Sequence, residues 1–180
     1  MPDTVRETFD QLRQLLKWDI NHMREFQEGG NYAIALLVAI GCEAIGLPLG
    51  RHDDTTFIEI MSKHGVSREM AADVFSALRH GIAHTYDTRY IQAGDLKVEL
   101  IVSRGGLNHT SVRRTPPGLV LNVETMWQDL QEVFERLRQN LPAGGQLPAQ
   151  WIKDSVKRAD DRAVEGWQKW IANAEEARPK

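Results

Sequence analysis

Apolar residues recur every three or four positions through the first part of the chain. Val5, Phe9, Leu12, Leu16, Ile20, Met23 and Phe26 draw one stripe, which predicts an amphipathic helix. Thr4-Val5-Arg6-Glu7 is a capping-box pattern at its start, and Gly29-Gly30 marks its end. The next segment, Tyr32 to Leu47, is apolar nearly all round and predicts a central, buried helix. Its uninterrupted run, Ala33 to Cys42, is far short of the ~20 residues needed to span a bilayer, and Glu43 interrupts it. Thr56-Phe57-Ile58-Glu59 reads as a second capping box opening a short helix that Gly65 closes. Ser67 then caps a fourth helix, with Met70, Val74, Leu78 and Ile82 on its inner face.

The period then changes. Leu96, Val98, Leu100 and Val102 alternate with Lys97, Glu99, Ile101 and Ser103, the pattern of a half-buried strand. Gly105-Gly106 is a hairpin signal, which predicts that Leu107 to Arg114 returns antiparallel. Pro116-Pro117-Gly118 turns the chain again before a short strand at Leu119-Val120-Leu121. A fifth helix buries Met126, Leu130, Val133, Phe134 and Leu137. Residues 142–148 are a linker by composition. A last helix from about Ala149 carries Ile152, Val156, Ala159, Ala163, Trp167 and Trp170 along one stripe. The expected organisation is a helical domain over 1–141 with a β insertion at about 86–121, the linker, and an amphipathic helix over 149–180. The fold class is mainly α within α+β: an antiparallel helical bundle with a small antiparallel sheet.

Composition narrows the function classes. The 180 residues hold 22 Lys and Arg against 25 Asp and Glu, a net charge of −3. A generally basic nucleic-acid coat is excluded, and any nucleic-acid contact needs a local patch. Cys42 is the one cysteine, which excludes an internal disulfide framework and a multi-cysteine zinc site. With no basic stretch leading into an apolar run at the amino terminus, a cytoplasmic protein without membrane attachment is expected.

The chemistry concentrates in Leu78-Arg79-His80-Gly81-Ile82-Ala83-His84-Thr85-Tyr86. Arg79 is permanently cationic and can hold a phosphate through two parallel hydrogen bonds. His84 can move protons near neutral pH. A base that takes the 2′-hydroxyl proton and a fixed cation for the anionic transition state are the parts needed to cleave RNA without a metal. Five residues of α-helix turn a side chain through ~500°, so Arg79 and His84 point ~140° apart. Either the helix distorts near Gly81, or two copies of the chain bring their motifs together across a two-fold axis.

Arg79-His80-Gly81-Ile82-Ala83-His84 resembles the Arg-x(4–6)-His signature of HEPN domains, with a polar residue directly after the arginine. The resemblance implies a homodimer of helical bundles and a metal-independent endoribonuclease, of the kind found in toxin–antitoxin and phage-defence systems. It implies Arg79 and His84 as the catalytic pair, His80 as a polar assistant and Glu43 as a supporting acid. It also implies RNA as substrate, an antitoxin or other protein as partner, and no cofactor. Family members that have lost catalysis and serve as dimerisation or binding modules are the alternative. The β insertion departs from the compact HEPN bundle.

Each residue also has a plainer reading. Arg79 and His84 can simply complement a helix dipole. His80 and His84, four apart, suit a metal pair with Glu43 as third ligand, which chance spacing also produces. Glu43, inside an apolar helix, must be exposed, protonated or paired, and Arg79 is the expected partner. Arg104, Arg113 and Arg114, with His109 nearby and no acid between 104 and 114, form a local basic patch that RNA phosphates fit. Charges on a strand edge that discourage aggregation explain the same residues. Trp151, Trp167 and Trp170 suit base stacking but more commonly anchor cores or dimers. Cys42 is expected to be a small core residue.

Overall fold

The computed structural model describes residues 4–26, 29–46, 49, 51–82, 90–105, 109–112, 115–141, 145 and 168. The chain divides into two units, Met1–Pro148 and Ala149–Lys180. Of the expected C-terminal helix, only Gln168 is among the described residues, and it is helical. The first unit is mainly helical with a small sheet.

Helix α1 (Val5–Glu25) begins as its sequence dictates. Thr4 accepts from the Glu7 amide while Glu7 accepts from the Thr4 amide. Val5, Phe9, Leu16 and Ile20 are buried, while Phe26 at the end of the stripe is exposed. Helix α2 (Asn31–Gly46) packs against α1, helix α3 (Thr55–Ser62) and helix α5 (Val123–Asn140). Gly41 allows the close approach: a Cβ there would lie 2.8 Å from Leu16 Cδ1 and 2.9 Å from Leu130 Cδ2. Phe9 meets Phe134 edge-on at 6.0 Å, closing α1 onto α5.

The second capping box is not used. Helix α3 starts two residues earlier, after Asp54, and the Thr56 side chain is fully buried with its hydroxyl unpartnered. Burial of Phe57, Ile60 and Met61 sets the helix phase and turns Thr56 inward. Ser67 does cap helix α4 (Arg68–Ser76), accepting from the Met70 amide. Met70 lies outward, and the inner face is Ala71, Val74, Phe75 and Leu78. The chain then widens into a π-helical turn, Ala77–Ile82.

The sheet is mixed rather than antiparallel. Strands β1 (Tyr90–Ala93), β2 (Leu96–Ser103), β3 (Thr110–Val112) and β4 (Gly118–Asn122) lie in the order β1-β2-β4-β3. The tight hairpin joins β1 to β2 through Gly94, whose φ is +60°. Strand β3 pairs with β4, and β4 runs parallel to β2. Of the expected return over 107–114, the described strand Thr110–Val112 lies beside β4 and not beside β2. Strand β4 is the apolar, buried one, so it takes the central place and leaves the short polar β3 at the edge. Leu100 and Val102 face Leu119 and Leu121 in register and form the buried face.

Arg104 joins the sheet to α1. Its Nη1 donates to the carbonyls of Arg24 (3.0 Å) and Phe26 (2.6 Å). Its Nη2 donates to those of Met23 (2.9 Å) and Gly29 (3.3 Å). The guanidinium thus meets carbonyls at the negative end of α1 and in the turn that follows it. Gly30, with φ +75°, leaves room, since a Cβ there would sit 3.3 Å from Arg104 Nη2.

Arg104→Ala is therefore expected to lower stability by about 1–3 kcal/mol. Arg104→Lys should recover only part of it, because an ammonium does not span four carbonyls. A urea midpoint shift at unchanged slope checks this, and unchanged stability would leave Arg104 a surface charge. Gly41→Ala should cost about 1–3 kcal/mol by overpacking the α1–α2–α5 contact.

Candidate functional site

Glu43 projects from α2, the most apolar of the described helices. A carboxylate there needs a counter-charge. The structure supplies it from the π-turn: Arg79 Nη2 donates to Glu43 Oε1 at 3.0 Å, and Arg79 Nε donates to Glu43 Oε2. The pair is a two-point fork, with side chains 36% and 19% exposed for Arg79 and Glu43. The Glu43 hydrogen bonds raise the Arg79 pKa above its ordinary value against an opposing desolvation, and Asp53 adds a further negative charge. The Nη1 edge of Arg79 is not engaged by Glu43.

The π-turn changes the direction problem. An α-helix sets positions five apart at ~140°, whereas rings closed five residues back bring such positions towards one face. The backbone departs from α-helical geometry over Ala77–Ile82, which includes Gly81. His80 is exposed. His84 lies outside the described residues, as do Arg113, Arg114 and the tryptophans Trp151, Trp167 and Trp170. Both carboxylate oxygens of Glu43 accept from Arg79.

Compared with known proteins, the chain matches no family model, no curated protein and no solved structure. The site therefore rests on its own geometry. Among the described residues, no helix is long and apolar enough to cross a membrane. Arg104 leaves the basic patch, because its terminal donors are taken by carbonyls of α1 and of the turn after it. Cys42 is fully buried, and desolvation pushes its thiol far above the usual range, which makes it a core residue.

A second cluster was not singled out in the sequence. His64, in the turn after α3, places Nε2 2.6 Å from Asp129 Oδ2 on α5. Lys63 Nζ donates to the other oxygen of Asp129 at 3.2 Å and to Glu132 at 3.1 Å. The His109 ring stands edge-on to His64 at 4.8 Å. Its Nδ1 accepts from the Asn122 amide at 3.1 Å. Desolvation, and then the charge of His64, lower the His109 pKa to about 4. No motif spacing marks this cluster, because its members lie tens of residues apart. The available signal was Asp129 falling between Met126 and Leu130 on a buried helix face.

The Glu43–Arg79 fork makes a quantitative expectation. Arg79→Ala leaves a mostly buried carboxylate without its partner and should cost about 1–3 kcal/mol. The double variant with Glu43→Gln should be less destabilised than the sum of the two single variants, by about 1 kcal/mol or more. Strict additivity in urea unfolding would mean that the fork contributes nothing to the fold.

Proposed function

We propose that the chain is a HEPN-like, metal-independent endoribonuclease that cleaves RNA phosphodiesters and works as a cytoplasmic homodimer of the toxin or phage-defence kind. The observation that carries this reading is the Glu43–Arg79 fork on a π-helical turn, within a motif that resembles the Arg-x(4–6)-His signature. Glu43 holds the guanidinium in one orientation and leaves an N–H edge for a phosphate oxygen. His84, five residues after Arg79 in the motif, takes the 2′-hydroxyl proton. His80, next to Arg79, assists by polarity, and Arg113 and Arg114 are the remaining basic contacts for the RNA strand. The dimer rests on the resemblance.

A second reading has its own support. Two Arg79 donors are already taken, and Asp53 adds negative charge nearby. A guanidinium neutralised in this way suits a non-catalytic HEPN-like module, which dimerises and binds RNA, a nucleotide or a protein such as an antitoxin.

Product chemistry separates the two. Cleavage should leave a 2′,3′-cyclic phosphate and a 5′-hydroxyl, proceed in EDTA well below the unfolding temperature, and fail on a 2′-deoxy linkage. His84→Ala should lose about 10²–10⁴-fold in rate. Full activity in purified, folded His84→Ala would remove the catalytic assignment. Wild-type protein that binds RNA without cutting it would establish the module.

A further inference from the structure

We propose that His64, His109 and Asp129 form a binding site for one divalent transition-metal ion of the zinc type. One ligand atom from each residue lies within 4.8 Å of the others. They come from the turn after α3, the segment before β3 and the middle of α5, so the fold itself assembles the set. Two imidazoles and a carboxylate are the borderline donors that zinc takes, and three protein ligands leave a fourth position for water.

The surroundings are those of a ligand set. Lys63 holds Asp129 Oδ1 and turns Oδ2 towards His64. Asp129 and Glu132 carry two negative charges against the one of Lys63, so with neutral imidazoles the pocket receives a dication with a net charge of −1. Zinc–ligand bonds of about 2.0–2.1 Å set ligand atoms roughly 3.3 Å apart in a tetrahedron. The His64–Asp129 contact therefore opens by several tenths of an ångström from 2.6 Å. The proton on His64 Nε2 moves to Nδ1 or to solvent. His109 exchanges the Asn122 amide for the metal, which makes that amide a reporter. The site shares no residue with the Arg79 motif and stands independently of the ribonuclease reading.

The test uses the full chain, freed of metal by chelator, and zinc chloride alone. Wild type should take up one equivalent in competition with a chromophoric chelator. The Asn122 amide resonance should shift with that equivalent, and the unfolding temperature should rise. His109→Gln and Asp129→Asn should each weaken uptake by more than about 100-fold. His52→Gln, at the exposed His52-Asp53-Asp54 group, should leave it unchanged. Where Asp129→Asn fails to fold, His109→Gln and the wild-type Asn122 resonance still decide the matter. Absence of stoichiometric uptake overturns the proposal. So does uptake that survives His109→Gln, or uptake that leaves the Asn122 amide unmoved.

Discussion

A carboxylate on an apolar helix must find a cation or lose its charge. Glu43 meets that demand with Arg79, and much of the site follows from it. Helix α2 packs on α1, α3, α5 and the π-turn, so the residue that fixes the arginine sits on a central helix. The fork ties the turn to α2 at two points and gives the guanidinium one orientation. Stability and the candidate chemistry thus share one contact.

The same physics recurs wherever a polar group would otherwise be stranded. The last carbonyls of α1 are met by Arg104, about eighty residues further along the chain. The first amides of α5 are met by Asn122, whose side-chain oxygen accepts from Glu124 and Thr125. Asp129, buried on α5, is held by Lys63 and His64. Each of these residues joins two elements, so the charged groups of the interior act as cross-links between helices and sheet.

Much of this was legible because it is local. The stripes of α1 and α5, the Thr4 and Ser67 caps, the apolar α2 and the need of Glu43 for a partner all follow from spacing and from desolvation. What escaped depends on tertiary competition. Two capping patterns of the same form behave differently: Thr4 caps, whereas Thr56 is drawn into the core by the burial of Phe57 and Ile60. The Gly105-Gly106 hairpin yields to the stronger demand of Leu119 and Leu121 for a central strand. Nothing in the periodicity of α4 announces the π-turn, since one inserted residue shifts phase without altering composition. The basic patch dissolves in part because a positive charge in a sequence does not say whether its partner is a phosphate or a helix end.

Glu43→Gln keeps the size of the side chain and removes the charge that fixes Arg79. The most direct measurement is its RNA cleavage rate beside that of wild type, with folding monitored in the same samples. If Glu43 orients Arg79 for chemistry, the rate falls about 10–100-fold while the protein stays folded. An unchanged rate, or a wild-type protein that leaves RNA uncut, contradicts the account.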